Sequence, residues 1–453
     1  MKRSVKIKLS VAAFMVRAIY FLTRILGLGE GTNFPGRIIA LLFPDILSHF
    51  LTRFRRGWIL ITGTNGKTTT TKILVELMRQ QGITVVTNAR GANLIPGILT
   101  SLLLGKLALT EATMADYAVF EIDEAVLIKS FHLFKPQILV VTNFSRDQLD
   151  RYGEVDSNVN RIMELLQKTD PPCRVVLNGN DPNVTRIGAA LNSANCLYFG
   201  IMEDITAADT GLLIEKEIGQ GLECETGPVP LDVRAEEIRT EYLKGSHFVL
   251  HYGPASVAIA SRLPGVYNIL NILAAVAVYV LLPGSNLSGI QDVLNRVEPC
   301  YGRSELFTCQ DKPVYLFLVK NPVGFNHILQ LLAKAGGPKR ILLLLNDLAA
   351  DGTDVSWIWD VSLENLWAVP EIREIVTSGT RAGDMALRVK YSNPPSSLSL
   401  STDYQPRRAL RNLLDRLAEE EAILVLANYT AMIQFRPFLV KLCRKRNRVR
   451  DGG

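Results

Sequence analysis

Cysteine is scarce in this chain of 453 residues: there are six, at positions 173, 196, 224, 300, 309 and 443, and no two are spaced as C-x-x-C. That spacing supports neither a zinc ribbon nor a disulfide framework, so the thiols read as reduced, mostly structural groups of a cytosolic protein. A long uninterrupted apolar run is also missing. The N-terminal stretch MKRSVKIKLSVAAFMVRAIYFLTRILGLG starts basic and turns apolar, but Arg17 and Arg24 break it and no small-residue cleavage site follows clearly. It reads as an amphipathic helix that packs on the body or rests at a membrane surface, with packing preferred, and not as a transmembrane span. Charge of one sign is not dominant either, since 50 Lys and Arg against 44 Asp and Glu leave a net charge of +6. With no aromatic-basic stripe or recognition motif, that balance argues against a nucleic-acid binder. The basic tail KLCRKRNRVRDGG could touch anionic lipid or a partner, and such a tail is more often only a solvated end. Internal repeats and low-complexity tracts are absent.

What is present is a globular composition, 48% hydrophobic and 21% charged, on a chain long enough for two or three domains. Short apolar runs (WILITG, ITVVTNA, YAVFEID, QILVVTNF, RVVLNGN) alternate with helical stretches such as 69–81 and 158–168. This alternation predicts an α/β fold, a mostly parallel sheet with helices on both faces and ligands at the C-terminal strand ends. The pattern weakens over about 201–245, which reads as an insertion or antiparallel extension. A turn and a long apolar helix follow in SRLPGVYNILNILAAVAVYVLL, and a second α/β unit starts near Gly302, with VYLFLVKNP, RILLLLND, EIVTSG and AILVLANYT as its strands. The expected organisation is an N-terminal helical segment (1–55), a central nucleotide-binding domain (56–300) and a C-terminal Rossmann-like domain (301–453).

The stretch WILITGTNGKTTTTKIL runs a strand through a glycine turn into a threonine-led helix. Gly63 and Gly66 let successive N–H groups of Thr64, Asn65 and their neighbours turn inward, and the helix beginning near Thr68 and Thr69 adds its positive end. Lys67 would reach β- and γ-phosphates, and the Thr68 hydroxyl would ligate Mg²⁺. The strict G-x-x-x-x-G-K-[ST] pattern is not met, because Ile61 stands at its first glycine position.

Glu121 closes the strand YAVFE, where a Mg²⁺ ligand should lie beside a phosphate loop. After the next strand, VVTNFSRDQLDRYGE clusters Asn143, Asp147, Gln148 and Asp150, a set that can bind metal, position a substrate or merely cap a helix. In LPGVYNILNILAA, Asn268 and Asn271 sit near a helix start, where Asn268 could read an adenine edge or simply cap.

Taken together and in this order, these stretches resemble the Mur ligase superfamily, ATP-dependent enzymes that join an amine to a carboxylate through an acyl phosphate. GTNGKTT looks like the family's phosphate loop, Glu121 its Mg²⁺ glutamate, TNFSRDQLDRYGE its N-x-x-x-D-H-L-D motif and LPGVYNILNILAA its adenine segment; NGNDP at 178–182 and YGRSE at 301–305, with Arg303, also match. Gln148 replaces the usual metal-binding histidine and offers an uncharged amide oxygen, which weakens the second metal site. The chain has no separate N-terminal domain of the size that ordinary members use to hold a UDP-sugar.

LLLLLNDLAADGTDVSWIWD, with LVKNPVGFNHIL and GEGTNFPGRIIALL, is similar to the MurT group, the synthetase subunits of lipid II isoglutaminyl synthases. The resemblance implies amidation of the glutamate α-carboxylate in the lipid II stem peptide, with ATP and Mg²⁺, by a cytoplasmic enzyme at or near the inner face of the membrane. It also implies a GatD-like glutamine amidotransferase partner that borrows an acidic residue. Asp360 is the chosen candidate, with Trp357 and Trp359 beside it as anchors and Asp347, Asp351 and Asp354 as rivals. Many of the group carry a four-cysteine zinc ribbon where this chain has only Cys224, so zinc is expected to be absent. The alternatives are another Mur-type amide ligase, acting on folate or poly-amino-acid substrates, and a non-catalytic nucleotide-binding scaffold.

Overall fold

The computed structural model describes residues 3–25, 33–88, 92–105, 115–144, 152–170, 172–202, 229–241, 243–297, 302–333, 336–368 and 371–450. Nine strands form the first sheet: β1 (Phe54–Thr62), β2 (Val85–Thr87), β3 (Ala115–Glu121), β4 (Ile138–Val141), β5 (Arg174–Asn178), β6 (Cys196–Ile201), β7 (Val233–Thr240), β8 (Ser246–Tyr252) and β9 (Ala255–Ser261). Their order is β2-β3-β1-β4-β5-β6-β7-β8-β9, parallel through β7 and antiparallel across β7, β8 and β9. The weak stretch near 201–245 thus ends in an antiparallel extension that continues to Ser261.

β1 lies inside the sheet between β3 and β4, and its burial explains its sequence. Trp58 and Leu60 face one apolar cluster, while Ile59 and Ile61 face another, so every side chain of this run is covered and none can be polar. The first cluster receives α1 (Arg3–Ile25), α2 (Phe34–Leu42) and, after α3 (Lys67–Gln80) on the other face, α4 (Ile95–Leu104). The second receives α3 and the helix Val266–Tyr279, whose apolar residues are buried nearly all round. A helix between a sheet and a neighbouring helix has no solvent face, which is why VYNILNILAAVAVY carries no charge.

The second sheet contains β10 (Arg303–Cys309), β11 (Lys312–Leu318), β12 (Lys339–Leu344), β13 (Ile372–Ser378), β14 (Ser399–Thr402) and β15 (Ala422–Ala427). Its order is β10-β11-β15-β12-β13-β14, and all pairings are parallel except β10 with β11. The four strands read from sequence are β11, β12, β13 and β15, the buried centre. The edges β10 and β14 carry mixed polar sequences, RSELFTC and SLST, which local patterning does not separate from loop.

One expectation is corrected. Cys309 and Cys443 are joined as a disulfide with Cα atoms 4.7 Å apart, although 134 residues separate them. The helix Tyr429–Arg450 brings Cys443 against edge strand β10, a juxtaposition that sequence spacing cannot reveal. Cys173 and Cys196 are free, and burial pushes the Cys173 thiol up to about 12. Cys224 and Cys300 lie outside the described residues. Among the described residues, no helix is long and apolar enough to cross a membrane.

Candidate active site at the phosphate loop

The loop between β1 and α3 emerges at the C-terminal edge of the first sheet, flanked by the ends of β3 and β4. Two of its residues must be glycine. Gly63 has φ +122° and Gly66 φ +90°; a Cβ on Gly63 would stand 2.3 Å from Thr142 Oγ1, and one on Gly66 2.2 Å from Asn271 Oδ1. The second contact ties the start of α3 to the helix Val266–Tyr279, with Thr70 Oγ1 also donating to the Asn271 carbonyl at 3.4 Å.

Asn143 holds the loop from the β4 side. Its carbonyl accepts from Thr64 N–H at 2.9 Å, its Oδ1 accepts from Asn65 N–H at 2.9 Å, and its Nδ2 donates to Asn65 O at 3.0 Å. Thr142 Oγ1 donates to the same carbonyl at 2.7 Å. Asn143, weighed in sequence as a metal or substrate group, is here a brace that shapes the phosphate loop. Asn178 and Asp181 of NGNDP brace in turn: Asn178 Nδ2 donates to Thr142 O at 2.9 Å, and Asp181 Oδ2 accepts from Phe144 N–H at 2.8 Å.

Lys67 is 7% exposed. Its Nζ donates to the carbonyls of Gly63 and Thr64 and lies 3.5 Å from Glu124 Oε1. Thr69 is also buried, and it lines the adjoining cleft. Thr68 Oγ1 donates to Glu121 Oε2 at 2.6 Å. Glu121 is 2% exposed, and its Oε1 is buried with no hydrogen-bond partner among the described residues. Asn88 clamps the Glu121 backbone, accepting its N–H at 3.0 Å and donating to its carbonyl at 2.8 Å. A hydroxyl and a buried carboxylate with an unpartnered oxygen make the hard-oxygen donor set that a divalent cation such as Mg²⁺ takes. The residues present therefore fit such an ion, with Thr68 and Glu121 as the groups to hold it.

Asn268 is 3% exposed and its amide is engaged at the helix start: Nδ2 donates to Pro264 O at 2.7 Å, and Oδ1 accepts from Asn271 Nδ2 at 3.3 Å. Asn271 instead lines a cleft shared with Asn65, Gly66 and, from the second unit, Lys320, Asn321 and His327. Asn321 Nδ2 donates to Asn65 Oδ1 at 3.4 Å, and the His327 ring stacks on Tyr267 with centroids 5.5 Å apart. Asn88, Tyr267, Lys320, Asn321 and His327 were not singled out from sequence. They lie on separate elements, and no spacing rule links them to the loop. Gln148 and the Arg303 side chain lie outside the described residues.

The structure separates the four aspartates of the C-terminal loop. Asp351 accepts from Thr430 N–H at 2.9 Å and Leu348 N–H at 3.2 Å, tying the loop to the helix Tyr429–Arg450. Asp354 accepts from Ser356 N–H at 2.8 Å and Oγ at 2.9 Å, bonds that hold its carboxyl below the usual range. Asp347 accepts from Thr380 Oγ1 at 2.8 Å, with Arg381 at 3.8 Å. Asp360 ends the short 3₁₀ segment Ser356–Asp360 and is partly exposed. The two tryptophans before it divide: Trp357 is 3% exposed and packs near Phe325, whereas Trp359 is 46% exposed, edge-on to Tyr391 and beneath Arg388.

Comparison with known proteins agrees along almost the whole chain. The Mur ligase middle domain family matches residues 61–279, and the MurT ligase C-terminal family matches residues 318–432. The lipid II isoglutaminyl synthase (glutamine-hydrolyzing) subunit MurT of Streptococcus pneumoniae is 32% identical over 91% of this chain and 93% of its own length. The subunit of the same name from Staphylococcus aureus strain COL is 30% identical over 94% of each chain. Among solved structures, MurF from Acinetobacter baumannii superposes with a TM-score of 0.66 at 17% identity, covering 90% of this chain and 80% of its own. MurF ligase from Thermotoga maritima in complex with ADP has a TM-score of 0.64 at 16% identity, covering 90% and 85%. At those identities the likeness speaks for the fold, a Mur-ligase α/β architecture with a second C-terminal sheet. Identity to the MurT subunits over more than nine-tenths of both chains places this protein in the MurT family of Mur ligases.

Proposed function

We propose that this chain is the synthetase subunit of a lipid II isoglutaminyl synthase, amidating the glutamate α-carboxylate of the lipid II stem peptide at the expense of ATP. The observation that carries the site chemistry is the buried Glu121 Oε1, without a hydrogen-bond partner among the described residues, beside the Thr68–Glu121 hydrogen bond. Removing a carboxylate from water without a partner is costly, so a cation at that position explains an otherwise unfavourable arrangement.

In this reading the loop N–H groups and Lys67 grip the nucleotide's phosphates, and Asn271 with Arg303 contacts the rest of the nucleotide. Bound Mg²⁺, held by Thr68 and Glu121 with Gln148 as a weaker second-site ligand, supplies electrostatic stabilisation of the transferring phosphoryl group. The stem-peptide carboxylate oxygen attacks the γ-phosphorus and ADP leaves. Ammonia then attacks the resulting acyl carbon, the phosphate departs with the C–O bond pair, and the nitrogen sheds a proton to leave the amide. The acyl phosphate hydrolyses readily, which favours a closed site formed between the two units, where Lys320, Asn321 and His327 face the phosphate loop.

The ammonia would come from a GatD-like glutaminase subunit, and Asp360 is the residue proposed to complete its Cys-His-Asp triad. What supports that choice is its place at the end of the Ser356–Asp360 segment, half-exposed and next to Trp359, which is exposed and offers an aromatic anchor for a partner. The activity proposed uses no zinc. In this reading 56–300 carries the phosphate loop and the cation site, while 301–453 supplies Arg303, adds Lys320, Asn321 and His327 to the cleft and docks the partner.

The test is amidation of lipid II by purified protein with ATP, Mg²⁺ and ammonium chloride, then with glutamine and the co-expressed glutaminase. A product lighter by about one mass unit, as OH becomes NH₂, is the expected result. ATP hydrolysis with no amidation under either condition would overturn the reading and favour another Mur-type substrate.

A further inference from the structure

α1 is apolar on two opposite faces. Leu9, Ala12, Ala13 and Val16, spaced three and four residues apart, are at most 1% exposed and join the core against the first sheet. About half a helical turn away, Ile7, Val11, Phe14 and Phe21 repeat with the same periodicity and are 58%, 44%, 73% and 65% exposed. α2, packed beside α1, adds Phe34, Leu41 and Leu42 at 55%, 81% and 55%. Of the sixteen large hydrophobic residues exposed among the described residues, eight fall between positions 7 and 42. Core packing needs only the first face, so the second requires another explanation.

We infer that this second face docks on an anionic phospholipid surface, an inference that rests on the proposed lipid-linked substrate. Three features choose a bilayer over a protein groove. Residues 3–25 carry five basic residues, Arg3, Lys6, Lys8, Arg17 and Arg24, and no acidic one. The helical positions of Lys6, Arg17 and Arg24 flank the apolar stripe on one side, as in helices lying in the interface plane, while Lys8 on the other side is paired with Asp45 at 3.0 Å. The face also connects to the reaction site. Gly36 of α2 presses on α4, where a Cβ would stand 1.8 Å from Pro96 O, and Ala92 just before α4 accepts from Asn88, the residue that clamps Glu121. A membrane beneath α1 and α2 would therefore lie on the side of the molecule reached through α4 from the Glu121 strand end.

The experiment is co-sedimentation of the full chain with vesicles free of any peptidoglycan precursor, of phosphatidylglycerol with phosphatidylcholine or of phosphatidylcholine alone. The expected result is binding to the anionic vesicles, weaker by about tenfold or more on phosphatidylcholine alone and in Phe14→Ser/Phe21→Ser. Arg17→Glu/Arg37→Glu, the second position being exposed on α2, leaves the apolar stripe intact and is expected to lower anionic binding as well. Equal partition of parent and Phe14→Ser/Phe21→Ser, or equal binding to both vesicle types, would overturn the inference. So would absence of vesicle binding with self-association that Phe14→Ser/Phe21→Ser dissolves, which would assign the face to a second copy. Unfolding midpoints and amidation of detergent-dispersed substrate, measured on the same proteins, keep the readings apart. Absence of vesicle binding by the parent with intact amidation sinks only the docking face, and vesicle binding by the parent without amidation sinks only the proposed activity.

Discussion

Thr68 Oγ1 donates to Glu121 Oε2 at 2.6 Å, while Oε1 of the same carboxylate is buried with no partner among the described residues. One oxygen is fixed and the other is presented. In the proposed reading the cost of this geometry is borne by folding, and its benefit arises with a bound cation. Glu121→Gln should therefore lower ATP-dependent amidation by about 10²-fold or more while leaving the unfolding midpoint unchanged or higher, because a buried charge is removed. Steady-state kinetics and thermal denaturation without nucleotide test the two halves together. A large loss of stability with little loss of rate would make Glu121 a structural residue.

Gly66→Ala is expected to fail for a different reason. At φ +90°, with Asn271 Oδ1 2.2 Å from the new Cβ, the loop must either strain or move off the helix Val266–Tyr279. A cost of about 1–3 kcal/mol in urea unfolding and loss of ADP binding by calorimetry are the expected outcomes. Gly82→Ala is the control, since φ +75° recurs there but nothing lies within 4 Å of the Cβ. It should cost stability without touching nucleotide affinity.

Asp360→Asn should abolish glutamine-driven amidation, by about 10²-fold or more, and spare the reaction driven by ammonium chloride. Asp354→Asn should leave both reactions running, because its carboxylate already serves Ser356. Loss of the ammonium-driven reaction in Asp360→Asn would place that residue in the synthetase site or in the fold, and not at a partner's histidine.

Asp116 provides a pH dependence. Hydrogen bonds from the Thr84 side chain and backbone, assisted by Arg55, hold its carboxyl below the ordinary range. A carboxylate with a depressed folded pKa contributes stability that is present above its unfolded pKa of about 3.9 and is lost as pH falls through the folded value. Denaturation midpoints of the parent and Asp116→Asn should therefore differ at neutral pH and converge in acid. A gap that persists at the lowest pH would show that the substitution acts through packing.

Much of the central sheet was legible because its physical cause is local. A strand covered on both faces must be apolar throughout, so β1, β3, β4 and β5 stand out, as do β11, β12, β13 and β15. Edge strands bury one side or neither, and β10 and β14 merge with loop. The phosphate loop is legible for a related reason: positive φ demands glycine, and phosphate demands N–H groups, a lysine and a hydroxyl within a few consecutive residues.

Sequence alone therefore determined the parts whose chemistry is contiguous: the strand, turn and helix around Lys67, the carboxylate ending β3, and an order of motifs that belongs to one ligase family. Tertiary structure decided the rest. It brought Asn88 and Glu124 to the loop, turned Asn143 into a brace, set Tyr267 against His327, and bonded Cys309 to Cys443. It also divided Trp357 from Trp359, and the buried stripe of α1 from the exposed one. The contacts among these relate residues tens to hundreds of positions apart, and chain separation carries no record of them, because the packing of whole sheets and helices fixes which distant side chains meet and which neighbouring ones are covered.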